Sequence, residues 1–185
     1  METTTTTTTG MRTWSLDPTH SSVQFAVRHM VISETKGHFE HYKLNVVTHG
    51  SDFADAKVEL EIDVNSISTN MVDRDNHLRS PDFFDAAKFP LITFRSTAFE
   101  KVDEEEYKLS GDITIKGVTK PIVLKAIYGG QVVDPWGNLR AGFRVEGSIN
   151  RFDFGLSWNS LLETGGAVVA KTVRLEAAIE VVASK

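Results

Sequence analysis

Lys57-Val58-Glu59-Leu60-Glu61-Ile62-Asp63-Val64 alternates without a fault: Val58, Leu60, Ile62 and Val64 fall on one side, and Lys57, Glu59, Glu61 and Asp63 on the other. A period of two belongs to an extended strand with one face on a core and the other in water. The period recurs in both directions. Val23, Phe25 and Val27 alternate with Ser22, Gln24 and Arg28, and Tyr107, Leu109, Ile113 and Ile115 alternate with Lys108, Ser110, Asp112 and Lys116. Near the end, Val169, Val173, Leu175, Ala177, Ile179 and Val181 alternate with Thr172, Arg174, Glu176 and Glu180. Stretches 37–47, 91–99, 122–133 and 139–152 are further candidates, giving about eight or nine long strands. The separators at 49–52, 103–106, 116–118 and 134–138 read as turns, where Pro135, Gly117 and Gly137 set the backbone. Strands joined by such short links run antiparallel.

One segment breaks the rhythm. Between 70 and 87 the period fails, Asn70 followed by Asp73 resembles a helix N-cap pair, and Ser80-Pro81 sets a cap residue before proline at a first helical position. The spacing predicts one or two short helices there, ending before Phe89-Pro90. An all-β chain with one short helical insertion near 70–87 leaves two architectures, a sandwich or a closed barrel, and periodicity alone does not choose. An eight-stranded barrel is just wide enough to be filled by side chains or to hold one small ligand.

The chain has 185 residues, 41% hydrophobic and 24% charged, which suits one domain over 11–185 with a core that buries about 70% of its surface. Twenty Lys and Arg against 25 Asp and Glu give a net charge of −5 with no basic block, so no nucleic acid partner is expected. There is no cysteine, which removes thiol nucleophiles, thiolate metal sites and disulfides together. Met1-Glu2 and the run Thr3 to Thr9 have neither a cationic start nor an apolar segment, so no signal peptide and a cytoplasmic location are expected, with 1–10 as a disordered tail. No stretch is long and apolar enough for a transmembrane helix.

The polar residues offer few catalytic patterns. His38, Glu40, His41 and His49 are near one another, but on a strand His38 and His41 point to opposite faces, so no metal ion or other cofactor is expected. His29 is in register with the apolar face of its strand. The cluster Asp73-Arg74-Asp75-Asn76-His77-Leu78-Arg79 places Asp73 and His77, and Asp75 and Arg79, four apart on a helix, where they can pair locally. Alternatively this helix closes a barrel mouth, offering Arg74 or His77 to a polar head group while Leu78, Phe83 and Phe84 face inward. The common hydrolase, metalloprotease, phosphate-loop and dinucleotide motifs are missing. Eleven phenylalanines and three tryptophans fit either plain core packing or a ligand-lined cavity.

Several stretches resemble one known pattern. Trp14-Ser15-Leu16-Asp17-Pro18-Thr19-His20-Ser21, then His29, then Gly37-His38-Phe39 looks like the start of the YceI-like family of bacterial polyisoprenoid-binding proteins. Ser68-Thr69, Arg74-Asp75-Asn76-His77-Leu78, Asp82-Phe83-Phe84-Asp85 and Phe89-Pro90 resemble the family's helical insertion. GDITIKGVTKP, residues 111–121, resembles its next hairpin, and Arg151-Phe152-Asp153-Phe154-Gly155-Leu156 completes the set. The resemblance spans about 11–182. It implies an antiparallel eight-stranded β-barrel like an extended lipocalin, holding a polyisoprenoid or a similar amphiphile such as an isoprenoid quinone or fatty amide for sequestration or transport, without catalysis. Many members are exported to the periplasm. True lipocalins open with a G-x-W element, whereas Arg12-Thr13 precede Trp14 here. On matching positions, Phe25, Val27, Phe39, Leu78, Phe83, Phe84, Phe94, Ile113, Ile115 and Phe143 are expected as wall residues, with His29, Arg74 and His77 at the head group. Two alternatives stay open: a small-molecule or lipid hydrolase with His77 or His29 as base, and a stress-related barrel filled by its own side chains. A homodimer is a further expectation.

Overall fold

A computed structural model describes residues 10–50, 52–160 and 168–184. The expected tail lies almost wholly outside them. Eleven strands follow in order: β1 Met11–Leu16, β2 Ser22–His29, β3 Ser33–Phe39, β4 Tyr42–His49, β5 Lys57–Asp63, β6 Ile67–Ser68, β7 Leu91–Lys101, β8 Glu106–Ile115, β9 Val118–Val133, β10 Leu139–Asn150 and β11 Val169–Ala183. The helix α1, Val72–Arg79, lies between β6 and β7.

All pairings are antiparallel, and the register shows how eleven segments close one barrel. β1 and β2 lie against the same edge of β11, β1 opposite 181–183 and β2 opposite 169–178. On their other side β4 pairs with β1 and β3 with β2, and then β5 pairs with β4 and β6 with β3. Each of these three segment pairs therefore serves as one broken stave. With β7 to β11 they make an eight-stave up-and-down barrel, sealed where β1 meets β11. Closure gives each of the eight staves a neighbour on both sides, although β6 itself pairs only with the end of β3 among the described residues.

Each break has a local cause. Asp17 accepts from Thr19 N–H at 2.9 Å and caps a 3-10 turn over Pro18–His20, where proline supplies no ladder donor. Asp63 caps a second such turn, Val64–Ser66, so Val64 leaves the strand in which the alternation had placed it. The predicted strand 37–47 is divided at Glu40-His41, whose N–H groups donate to the Ser66 carbonyl at 3.2 Å and Oγ at 3.0 Å instead of to a neighbouring stave. The connection 30–32 also went unpredicted, because Met30 and Val31 occupy left-handed conformations (φ 50° and 66°) without glycine or asparagine.

The helical insertion differs from expectation in detail. Asn70 is left-handed (φ 60°), and the N-cap is Met71, whose side chain makes no capping bond. Ser80-Pro81 opens a run of turns rather than a second helix: Phe83 and Asp85 N–H donate back to Ser80 O at 3.0 and 2.9 Å. The expected pairs four apart do not form. Asp75 accepts from Thr69, Arg79 donates to the Asn65 and Ile67 carbonyls, and His77 bonds Asp82.

The barrel's ends are unequal. At one end lie the turns 30–32 and 116–117, the crossover 69–90 and the described part of the next crossover, 151–160; at the other, the links 52–56, 102–105 and 134–138. The second end is plugged by rings. Trp14 packs on Phe53 with centroids 4.9 Å apart, Phe53 on Phe143 at 4.8 Å, and Phe99 stacks on Tyr107 at 4.9 Å. Trp14 is 2% exposed, and its Nε1–H donates to Thr48 Oγ1 at 3.0 Å, so its polar atom is satisfied.

Candidate functional site

The inward residues of alternate staves do not fill the space above this plug. They enclose a cavity of about 600 Å³ between the aromatic floor and the α1 crossover, within the size range of small-molecule sites. A barrel filled by its own side chains would lack it.

All thirteen residues nominated from the sequence line this cavity. Phe25 and Val27 face inward from β2, Phe39 from β3, Phe94 from β7, and Ile113 and Ile115 from β8, as the period of two requires. Phe143 on β10 belongs to the floor, touching Phe53, Tyr128 and Tyr107. Leu78, Phe83 and Phe84 form the ceiling, with Phe84 set edge-on to Phe39 at 6.4 Å between centroids. His29 lines the wall at the end of β2.

The polar groups gather at the α1 end. Thr69 organises them: its N–H and Oγ1 donate to Asp75 Oδ1 at 2.8 and 2.5 Å, and its Oγ1 and carbonyl accept from Arg74 Nε at 2.7 Å and Nη2 at 2.8 Å. Arg74 is thus held against the cavity by the end of β6 rather than by a carboxylate. The His77 ring is fixed by Asp82 through Nε2 at 2.9 Å and sits edge-on to Phe83 and Trp158, at 5.1 and 4.7 Å. A hydrogen-bonded imidazole wedged between two rings is a rigid polar point in an apolar mouth.

Other lining residues escaped nomination, three of them on the segment that follows β10. Trp158 and Leu156 come from a crossover with no hydrophobic period; Trp158 had no signal beyond aromatic content, and Leu156 ended the quoted RFDFGL stretch without being chosen. Arg151 stood in the quoted RFDFGL stretch but was not chosen. It is 3% exposed, and its donors reach the carbonyls of Leu156, Trp158, Val169 and Ala170, tying the segment 156–158 to the start of β11. Burial pushes this guanidinium down from its ordinary pKa. Leu175, Ala177 and Ile179 of β11 also line the cavity; the alternation marked them, although they were not chosen as site residues.

The histidines 38, 41 and 49 make no joint site. His38 lies 3.9 Å from Glu40 on an exposed face, and His49 pairs with Met11 at the plugged end.

Known proteins match this architecture along its length. A UPF0312 protein of Staphylococcus aureus is 36% identical over 171 residues, 92% of this chain and 97% of its own. A YceI protein of Campylobacter jejuni, known from its crystal structure, is 33% identical and superposes with a TM-score of 0.73 over 85% of this chain and 90% of its own. The polyisoprenoid-binding domain of Saccharophagus degradans, implicated in plant cell wall breakdown, shares the fold alone: TM-score 0.70 at 17% identity, covering 92% of this chain and 98% of that one. The YceI-like domain profile matches residues 14–181, from the tryptophan that plugs the barrel to the strand that seals it, and the chain belongs to the YceI-like family.

Proposed function

We propose that this protein holds one long apolar amphiphile, a polyisoprenoid or a lipid of similar build, inside the barrel for sequestration or transport. The observation that carries the reading is the cavity of about 600 Å³, walled largely by aliphatic and phenylalanine side chains, with Thr69, Asp73, Arg74 and His77 grouped at its α1 end. Tail burial drives the binding. Each methylene removed from water contributes about 0.8 kcal/mol, so roughly ten carbons contribute about 8 kcal/mol before the cost of ordering the chain. Arg74 and His77 orient the head group rather than supply affinity. The polyisoprenoid-binding domain of Saccharophagus degradans supports the ligand class, since it carries the same fold.

Native mass spectrometry of the purified protein, followed by organic extraction, tests the reading. A stoichiometric amphiphile is expected. Ala177→Trp, which places an indole from β11 into the cavity, should lower occupancy while leaving the β-sheet circular dichroism unchanged. A clean apo mass that also rejects added polyprenyl lipids would overturn the proposal. So would turnover of a lipid ester that His77→Ala abolishes, since that outcome makes the site catalytic.

A further inference from the structure

The turn joining β2 to β3 exposes Met30, Val31 and Ile32, the latter two at 67% and 84%. Exposed turn tips are ordinarily polar, and left-handed positions favour Gly, Asn or Asp; a β-branched residue there is strained. Here Met30 and Val31 both hold that conformation, and Met30 N–H is tied to Val168 O at 2.8 Å, so the strained tip is fixed rather than loose. Met71 and Val72, at the start of α1, are 53% and 73% exposed at the same end of the barrel. Met71 also lines the cavity, whereas Met30, Val31 and Ile32 do not.

Charge separates the two ends. Next to the tip its strands carry Arg28 and Lys36, and the adjoining start of β11 carries Lys171 and Arg174, against Glu34; the α1 crossover at the same end sets Asp73, Asp82 and Asp85 beside Arg74, Arg79 and Lys88. Glu34 is already engaged by Arg174 at 3.0 Å and Lys36 at 4.0 Å; Arg28 and Lys171 make no ion pair with another described residue. This is a locally basic face on a chain of net charge −5. The plugged end also exposes apolar side chains, Val132, Val133 and Trp136, but they stand beside the acidic run Asp103 to Glu106. An anionic surface attracts the first end and repels the second.

We infer that the α1 end of the barrel docks on anionic lipid bilayers: Met30, Val31 and Ile32 dip into the interface, and Arg28 and Lys171 meet the phosphates. The surface is separate from the cavity. Where the cavity holds a lipid, docking places its mouth against the source or destination of that lipid.

The test uses the double variant Met30→Asn, Val31→Gly, which puts preferred residues at both left-handed positions and so keeps or raises the melting temperature. Flotation with vesicles of phosphatidylcholine plus phosphatidylglycerol is compared with pure phosphatidylcholine. The parent protein should float with the mixed vesicles, less so at high salt, and the variant should bind about tenfold or more weakly, since it withdraws two large apolar side chains from the contact. Equal flotation of parent and variant would overturn the inference. So would a dimer, seen by sedimentation, that the variant dissolves without any vesicle binding by the parent, because the tip would then cover a second copy. Ligand retention measured by native mass spectrometry is read separately, so a parent protein that keeps an occupied cavity but does not float with the mixed vesicles counts against this inference and not against lipid binding.

Discussion

Replacing Asp75 by alanine probes a buried side chain that pins the α1 crossover over the cavity. Asp75 is 6% exposed, and one of its oxygens accepts both the N–H and the Oγ1–H of Thr69, at 2.8 and 2.5 Å. Thr69 in turn receives Arg74 through two bonds. Alanine leaves a buried N–H without an acceptor and frees the hydroxyl to turn elsewhere. Hydrogen bonds to a charged group contribute about 1.5–3 kcal/mol, and an orphaned buried donor costs about 1–3 kcal/mol, so the loss is roughly 2–4 kcal/mol. For a domain of this length each kcal/mol shifts the midpoint by about 2–4 °C, giving a fall of roughly 5–15 °C in thermal unfolding followed by circular dichroism. Asp75→Asn is the informative control. Both bonds end on one oxygen, which an amide carbonyl can replace, so only the charge assistance is lost, about 1 kcal/mol. In the alanine variant Thr69, which orients Arg74, loses its own anchor, and exchange of a bound lipid, followed by native mass spectrometry, should quicken. An alanine variant within about 0.5 kcal/mol of the parent, or an asparagine variant falling equally far, would refute the pinning argument.

Two further outcomes follow from packing and charge. Gly37→Ala places a methyl 2.3 Å from Phe25 Cζ and 2.9 Å from Thr69 Cγ2, an overpacking expected to cost about 1–3 kcal/mol, read as a lower urea midpoint at unchanged slope. Asp134, bonded by Arg140, and Asp17, bonded by His20 and then Arg140, are held well below the usual carboxylate range. Depressed values mean stability that is present above the ordinary pKa of 3.8 and lost as pH falls through the folded values, so Arg140→Met should flatten the acid limb of the stability curve. The His20 ring is raised by Asp17, which reverses the sign: its small contribution is full below 6.5 and fades as pH rises through the folded value, and His20→Asn should remove that fade.

The wall of the barrel was legible because its outer face meets water. KVELEIDV writes inside and outside in alternate letters, and the same parity marked Phe25 and Ile113, while Phe94 and Phe143 were placed on positions matching the family. Where side chains distant in sequence supply the backbone's partners, the pattern fell silent. Ser66 breaks a stave at Glu40-His41 from 25 residues away, and Asp75, inside the helix, anchors the segment that Asn70 was expected to cap. The 30–32 turn was illegible for the opposite reason: its residues contradict the conformation they adopt. Trp158 and Arg151 lie on a crossover shaped by bonds to single carbonyls, which leaves no period in the sequence.

Inward glycines explain why the phenylalanines leave space at all. Eight staves bring their inner faces close enough for large rings to meet at the axis, as they do around Phe53 and Phe143. Higher in the barrel, Gly37 sits opposite Phe25 in register, and a methyl added there would overlap the ring, so the ring lies flat in the gap that the glycine provides. Phe94 covers Gly111 in the same way, and Leu124 covers Gly147. Three bulky side chains are thereby laid along the wall instead of projecting to the centre. The chain keeps a hydrophobic lining and an empty axis together, which alternation alone would not deliver, because alternation decides which residues face inward and not how far they reach. A cavity opened this way depends on the absence of side chains at three positions, and its volume is set by residues that could never touch what it contains.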